Sequence, residues 1–328
     1  MIDALARNGD ISTVAGTVCE LTSKGRSRLS RQSEARRNMA LGGPAIIARG
    51  WLNGLERRLP KDLSPAIKAY VLSTWVLEEI FGQKWVDRFV GRSRTPTFLL
   101  NNHTNDKEAA THAIRVIQLA EMLINSQWIP EYAACIQQLE TAEQIEPTYA
   151  ELDIARALIS NKVGFKFNER QHKRGEDFDL LITCPNGMVA CADTKCKLET
   201  TPFSKQTIKN AIDHARKQNL PEDRPGIVFV KVPVDWVRDA ETASQLVAVA
   251  NQAFTGRLVS VKFYTSYVDV IQDGIVVREA MSWHEIINRR SRFEPDANWH
   301  LFSMVSEPAT SWNGMPPHWK RILKGDWI

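Results

Sequence analysis

The sequence has no long hydrophobic run. Its apolar stretches all fall short of the about eighteen consecutive residues that a membrane-spanning helix needs. The opening segment, "MIDALARNGDISTVAG", carries acidic residues and lacks the apolar centre of a signal peptide. We therefore expect a protein that neither spans a membrane nor is secreted, with the cytoplasm as its location.

Cysteine is scarce, and its spacing argues against a common metal site. The five cysteines are Cys19, Cys135, Cys184, Cys191 and Cys196. They form no CxxC pair and no Cys/His set with zinc spacing, and their odd number does not suggest a disulfide framework. The sequence therefore argues against a structural zinc and favours a reducing compartment.

Several phosphate-binding and catalytic motifs are missing as well. There is no GxGxxG or GxxxxGK(S/T) loop, so intrinsic use of a dinucleotide or of ATP is not expected. There is no GxSxG or HExxH either, which argues against a serine hydrolase and a zincin. Of the residues, 43% are hydrophobic and 24% are charged, which are the proportions of a folded globular protein. The length of 328 residues is enough for one large or two ordinary domains.

Positive charge is concentrated near the amino terminus. The net charge is only +4, but the run "KGRSRLSRQSEARR" at residues 24–37 has a single acid among its Lys and Arg residues. Such a run is either a solvated arm or an arm that binds phosphates. Because residues 1–42 are rich in Ser, Gly, Arg and Thr, we assign them to a basic, flexible arm.

Apolar residues at helical spacing follow the arm and predict an α-helical domain over residues 43–145. The periodicity covers "PAIIARGWLNGLERRL", "SPAIKAYVLSTWVLEEIFGQKWVDRFV" and "TNDKEAATHAIRVIQLAEMLI". Thr104 or Asn105 would cap the third helix, and a fourth is expected after Pro130. This domain would bind the substrate, a protein partner or a second copy of the chain.

From Pro147 the pattern alternates between helices and strands, which indicates an α/β unit over residues 146–288. The expected order is a helix with Pro147 in its first turn, three strands, a helix, a strand, a helix and three further strands. A tight turn at Pro185-Asn186-Gly187 would join the second and third strands, and Asp273-Gly274 the last two.

The tail, residues 289–328, is rich in tryptophan. It holds Trp299, Trp312, Trp319 and Trp327. Because each indole has a large apolar area to bury, we expect the tail to pack on the core, with base stacking or a partner interface as the alternative.

Charged residues alternate along one predicted strand. In "MVACADTKCK", residues 188–197, Asp193, Lys195 and Lys197 occupy alternating positions, so their side chains share one face. That face is either solvated, with a weak ion pair, or a site. Asp179 lies seven residues before Asn186 and Asp193 seven after it, so a hairpin would bring the two carboxylates opposite each other.

Two neighbouring carboxylates repel unless something positive lies between them, and a divalent cation is the natural partner. We expect Asp179 and Asp193 to hold Mg²⁺, for which Mn²⁺ would substitute. The Thr194 backbone carbonyl and Glu151, on the preceding helix, would supply further oxygen ligands. Lys195 would orient or help to deprotonate a water and offset phosphate charge.

The ordered set of Glu151, Asp179 in "GEDFDLLI" and Asp193-Thr194-Lys195 in "CADTKCK" resembles the PD-(D/E)XK, or restriction-endonuclease-like, nuclease superfamily. The resemblance covers residues 146–280, in helix–strand–strand–strand–helix–strand order. It implies a mixed central sheet flanked by helices, here preceded by the helical domain, and Mg²⁺-dependent cleavage of phosphodiester bonds, usually in DNA. By this analogy Asp179 and Asp193 are the acids of the motif, Lys195 is its lysine, and Glu151 is the helix acid, so these four are the expected catalytic residues.

The sequence departs from that pattern at two places. Phe178 stands where the motif has proline, and Asp177 and Glu176 compete with Asp179 for the first acid. Asn210 stands four residues after Gln206, where some exonuclease-like members have tyrosine, which favours an endonuclease over that subgroup.

Basic side chains near these acids suit a phosphate backbone, which supplies most non-specific affinity for nucleic acids. Those expected to contact it are Lys173, Arg174, Lys197, Lys205 and Lys209. The sequence thus predicts a Mg²⁺-dependent endonuclease acting on DNA, although no base-reading motif separates DNA from RNA. The alternative is a catalytically inactive nucleic-acid-binding or assembly protein with the same fold.

Overall fold

The computed structural model divides into two compact units, and each is described by itself. The first comprises Met1–Gln127, Val268–Arg278 and Ser311–Trp327, and the second comprises Trp128–Tyr267, Glu279–Thr310 and Ile328. The structure describes residues 11–14, 18–21, 47, 49–91, 97–169, 171, 173–185, 187–271, 276–293, 299–302 and 310–312. The predicted assignment of residues 1–42, 43–145, 146–288 and 289–328 to an arm, two domains and a tail stays a prediction.

Among its described residues the first unit contains a short antiparallel ladder, β1 (Ile11–Val14) with β2 (Val18–Leu21), and four helices. The helices are α1 (Arg49–Glu56), α2 (Pro65–Phe81), α3 (Gln83–Phe89) and α4 (Asp106–Ser126). Of the two caps predicted for α4, Asn105 is the one used, since its side chain accepts a hydrogen bond from the Glu108 N–H at 2.9 Å.

A glycine separates two helices that the sequence pattern joins. Gly82 has φ 86°, a left-handed conformation that residues with a side chain rarely adopt, and its N–H donates to the Glu78 carbonyl at 2.7 Å. The apolar spacing continues through this glycine, so periodicity alone predicted one run where the chain forms α2 and α3.

A buried histidine in this unit makes stability depend on pH. His112 is 1% exposed, with Nδ1 2.6 Å from the Leu99 carbonyl and Nε2 3.0 Å from the Tyr70 hydroxyl. Since the carbonyl only accepts, the neutral ring donates from Nδ1 and accepts at Nε2. Burial lowers the pKa of His112 to about 4.

We expect the unfolded chain to take up a proton on His112 as the pH falls below its ordinary pKa of about 6.5, while the folded chain does so only near 4. The free energy of unfolding should therefore fall by about 2 kcal/mol from this residue between pH 7.5 and pH 5. Urea unfolding of the wild type and His112→Gln at both pH values would measure it, and an equal pH dependence in the two proteins would contradict it.

The second unit is built around a mixed sheet flanked by helices, which confirms the coarse fold prediction. Its helices are α5 (Tyr132–Gln137), α6 (Ala142–Ser160), α7 (Lys205–His214), α8 (Val234–Arg238) and α9 (Ala240–Ala253). The strands of the sheet are β3 (Gly164–Phe167), β4 (Leu180–Thr183), β5 (Val189–Cys196), β6 (Gly226–Lys231), β7 (Leu258–Ile271), β8 (Val276–Ile287) and β9 (Thr310–Trp312). Residues 268–271, 276–278 and 311–312 of the last three strands are counted with the first unit.

The strands lie in the sheet in their chain order, β3 to β9. The β3–β4 and β4–β5 pairs are antiparallel, whereas β5–β6 and β6–β7 are parallel. Each parallel pair is joined by a helical connection, as parallel strands require. The order from α6 to β6 is therefore helix, three strands, helix, strand, as the sequence predicted.

Helices cover both faces of the sheet. On one face, α7 and α9 pack on an apolar core that includes Val228 and Val230 of β6. On the other face lies α6, where the Ala150 carbonyl accepts from the Tyr264 hydroxyl at 2.9 Å and Glu146 lies 3.3 Å from the Lys231 ammonium.

Two element predictions in this unit are wrong. Helix α6 begins at Ala142, so Pro147 lies inside it rather than in its first turn. The helix is buried on nearly all sides, and this burial outweighs the hydrogen bond that a proline removes. The two strands predicted before Asp273 form one strand, β7.

Some predicted features fall outside the described residues. These are the basic run at residues 24–37, Asn186 of the predicted hairpin turn, the Asp273-Gly274 turn and the side chains of Trp312, Trp319 and Trp327. Trp299 of the tail is fully buried. Among the helices described, none combines the length and the apolar character needed to cross a bilayer.

Candidate metal and phosphodiester site

The register of the β4–β5 hairpin brings the two aspartates together. Leu180 pairs with Ala192, and the Asp179 N–H extends the ladder by donating to the Ala192 carbonyl at 2.9 Å. Asp179 and Asp193 are the next positions on the two strands. The predicted hairpin and its register are thus confirmed, and both carboxylates belong to the same end of the sheet.

Asp193 is the most enclosed member of the group. Its side chain is 0% exposed. Asp193 lies opposite Val228 of β6, and because paired residues share a face, it faces the same side of the sheet as Val228, the side that α7 covers. The Asn219 side-chain amide donates to Oδ1 at 2.6 Å, and the Lys195 ammonium lies 2.5 Å from Oδ2. Apart from this ion pair, Oδ2 has no hydrogen bond within the described part of the chain.

Asp179 is held by the backbone of the neighbouring strand. It is 5% exposed, and its Oδ2 accepts from the Thr194 N–H at 2.6 Å. Thr194 therefore contributes its N–H to the site, whereas the role predicted for its carbonyl stays a prediction.

Lys195 reaches the border of the site. Its side chain is 22% exposed, whereas that of Asp193 is 0% exposed. An ammonium that is partly open to solvent and in contact with a buried carboxylate can meet an incoming anion without leaving its partner.

Glu151 lies apart from these residues. It is on α6, which covers the opposite face of the sheet from Asp193, and its carboxylate accepts from the Cys135 thiol at 3.8 Å. Within the described ranges, groups of three or more His, Cys, Asp or Glu that could hold a metal do not occur. The structure thus brings Asp179, Asp193 and Lys195 together but not Glu151, whose role rests on the resemblance alone.

The two competitors for the first acid differ in their surroundings. Glu176 is 55% exposed and lies 3.8 Å from the Lys173 ammonium, as in a solvated ion pair. Asp177 is partly buried, and its Oδ1 is enclosed without a hydrogen-bond partner among the described residues. Asp177 therefore remains the competitor that an experiment must separate from Asp179.

Asn219 is a site residue that the sequence reasoning missed. After α7 the chain forms a π-helical turn, Ala215–Asn219, and this wider turn carries Asn219 next to Asp193. The only local signal is Pro221, which predicts the end of the helix but not its widening.

Replacing Asn219 with Ala would leave Oδ1 of the fully buried Asp193 without its donor. Because an unsatisfied buried acceptor costs about 1–3 kcal/mol, we expect the free energy of unfolding to fall by that amount. Urea unfolding at pH 7 measures it, with Asn210→Ala on the exposed side of α7 as the control. Equal stabilities of the two variants would contradict the role given to Asn219.

The basic residues predicted to contact nucleic acid are mostly on the surface. Lys173, Arg174, Lys205 and Lys209 are exposed, the last two on α7. Lys197 is half-buried, and burial lowers its pKa. None of these positions conflicts with a phosphate contact.

The donor set fits a hard divalent cation. Mg²⁺ uses one or two carboxylates, keeps several waters and takes its remaining oxygens from substrate phosphate. Asp179 and Asp193 supply the two carboxylates, and Oδ2 of Asp193, whose partner is the Lys195 ammonium, is the oxygen on which a cation would share or replace that contact.

A search of protein-family models and of curated proteins finds no match to this chain.

Proposed function

We propose that the protein is a Mg²⁺-dependent nuclease that hydrolyses phosphodiester bonds within DNA. The observation that carries the proposal is the apposition of Asp179 and Asp193 on paired strands, with the Lys195 ammonium 2.5 Å from Asp193. The helix–strand–strand–strand–helix–strand order from α6 to β6 supports it, because the restriction-endonuclease-like resemblance is tied to that order.

Asp179 and Asp193 would hold the metal, which when bound would lower the pKa of a coordinated water and neutralise phosphate charge. The Thr194 N–H fixes Asp179, and the Asn219 amide occupies Oδ1 of Asp193, so the carboxylates are oriented before a ligand arrives. Lys195, at the solvent border, would orient the attacking water and balance the negative charge that develops on the phosphate.

The second candidate is a nucleic-acid-binding or assembly protein that keeps this fold without turnover. One observation favours it: Asp193 is 0% exposed and both of its oxygens already have a partner side chain nearby, Asn219 and Lys195. In that case the aspartates and Lys195 would be a buried structural ion-pair network, and nucleic-acid binding would require no metal.

The first experiment incubates the purified protein with supercoiled plasmid, linear duplex, single-stranded DNA and RNA. Each substrate is tested with Mg²⁺, with Mn²⁺ and with a chelator. We expect nicking or linearisation of the plasmid that requires a divalent cation and stops with the chelator. Intact substrates together with a shifted DNA band would favour the binding protein, and cleavage of RNA alone would correct the substrate.

A further inference from the structure

A cleft of about 530 Å³ lies beside the N-terminal end of β6. Its walls are the segment before β4 and the segment that leads from the π-helical turn to β6, and Arg257, immediately before β7, completes the lining. The cleft adjoins the proposed site in sequence, because Phe178 in its wall precedes Asp179 and Leu220 follows Asn219.

Guanidinium groups in the cleft are anchored by the π-helical turn. The Arg174 Nε–H donates to the Lys217 carbonyl at 2.9 Å, and Arg257 donates to the Arg216 carbonyl. Each arginine has five N–H donors in a fixed plane, so these bonds orient the group and leave other donors for a ligand. Side chains held in this way lose little conformational entropy when they bind an anion.

The charges around the cleft favour an anionic ligand. Arg174, Lys217, Arg224 and Arg257 line it together with Glu176, Glu222 and Asp223. Solvent screens the exposed charges of both signs, those of Arg174 and Arg224 as well as those of Glu176 and Glu222. Arg257 is only 15% exposed and lies 3.5 Å from Glu222, so the preference for an anion rests on Arg257 and the arginines near it.

Further arginines lie close to Arg257. Burial lowers the pKa of Arg257, and the charges of Arg216, Arg292 and Arg174 lower it further, against the opposing effect of Glu222. Guanidinium groups that repel one another in the free protein gain when an anion enters among them.

We propose that this cleft binds backbone phosphates of the DNA strand, outside the residues that would carry out cleavage. Planar guanidinium groups match phosphate oxygens in pairs, and Arg174 and Arg257 present two of them at fixed positions. The identity of the ligand as DNA rests on the proposed function, whereas the phosphate chemistry rests on the cleft itself. Arg174 was expected from the sequence to contact phosphate, but Arg257, about eighty residues further along the chain, was not.

The test compares the wild type with Arg174→Gln/Arg257→Gln for binding of a labelled DNA duplex, in chelator so that cleavage plays no part. We expect a roughly 10- to 100-fold weaker Kd at 0.1 M salt. The slope of log Kd against log salt should fall by about two, one for each phosphate that the variant no longer neutralises. Arg57→Gln/Arg58→Gln removes the same charge from exposed positions outside the cleft, so the slope should fall less in this control than in the cleft variant.

Thermal unfolding checks that the double variant is folded, and Arg174→Gln/Arg224→Gln, with both residues exposed, serves as the second variant if Arg257→Gln destabilises the protein. A slope unchanged in the folded cleft variants would overturn the proposal. So would a wild type that binds no DNA, or inorganic phosphate that displaces DNA at an equal phosphate concentration. If the cleft variants weaken DNA binding but no cleavage is found, the result would support the phosphate-binding role of the cleft and contradict the proposed nuclease activity. The two proposals can therefore be tested independently.

Discussion

Replacing Asp193 with Asn is expected to lower Mg²⁺-dependent cleavage of DNA by about 10³-fold or more while the fold is kept. A metal contributes several kcal/mol of transition-state stabilisation, and each 1.4 kcal/mol lost is about tenfold in rate. Asn has the same shape, and its carbonyl can still accept from Asn219, but it removes the charge that would hold the cation and pair with Lys195. Steady-state plasmid nicking measures the effect, with circular dichroism as the check on folding.

Asp177→Asn is the matched control, because it makes the same chemical change on a partly buried aspartate two residues from Asp179. We expect Asp179→Asn to resemble Asp193→Asn, and Asp177→Asn to remain close to the wild type. The reverse result, with Asp177→Asn inactive and Asp179→Asn active, would transfer the first acid to Asp177. If all three variants keep full cleavage, the activity does not arise from this hairpin.

The hairpin could be predicted because its determinants are local. The turn predicted at Pro185-Asn186-Gly187 fixes the expected centre of the hairpin, and the two-residue period of a strand then fixes which side chains share a face. Asp179, Asp193 and Lys195 follow from that counting alone, and the structure has the same register.

The position of Glu151 relative to the aspartates could not be predicted, because it does not depend on the neighbouring sequence. The sequence pattern predicts the helix α6, but the face of the sheet that the helix covers depends on contacts with β6 and β7, such as Tyr264 with Ala150. These residues are more than one hundred positions apart. Short charge motifs place residues on elements, whereas the packing of elements decides which charges meet.

The positions of Asn219 and Arg257 could not be predicted from the sequence either. Both are positioned by the π-helical turn Ala215–Asn219, which accepts from Arg257 at one carbonyl and carries the Asn219 amide to Asp193. Helical periodicity predicts α7 but not the change from α to π geometry directly after it. The roles of Asn219 and Arg257 therefore become apparent only in the structure.

Glu285→Gln is expected to cost the second unit about 3–5 kcal/mol of folding free energy, because it would leave a buried ammonium without its counter-charge. Lys262 is 0% exposed, and its Nζ lies 2.7 Å from Glu285 Oε1 and 2.9 Å from the Trp299 carbonyl. Burial lowers the pKa of Lys262, and Glu285 opposes that effect. Urea unfolding at pH 7 measures the loss.

A double variant separates the lost charge pair from lost packing. Lys262→Met/Glu285→Gln removes both charges and keeps similar volumes, so it should recover most of the stability that Glu285→Gln loses. His300, 43% exposed and 2.9 Å from the other oxygen of Glu285, is the control, since His300→Ala should cost less than about 1 kcal/mol. A double variant as unstable as Glu285→Gln would assign the loss to packing.

The pH dependence of Glu285→Gln gives an independent test of the buried charge. Without Glu285, the pKa of Lys262 in the folded protein falls further below its ordinary value, so the folded lysine loses its proton before the unfolded one does. Between those two pKa values the unfolded state binds more protons, and the free energy of unfolding therefore rises with pH. The deficit of Glu285→Gln relative to the wild type should shrink as the pH is raised from 7 toward 10. In the double variant, which has no lysine at this position, the corresponding difference should not shrink as the pH rises, because only the wild type gains stability from the lowered pKa of Lys262. A deficit of Glu285→Gln that does not change with pH would mean that Lys262 does not carry an unpaired charge.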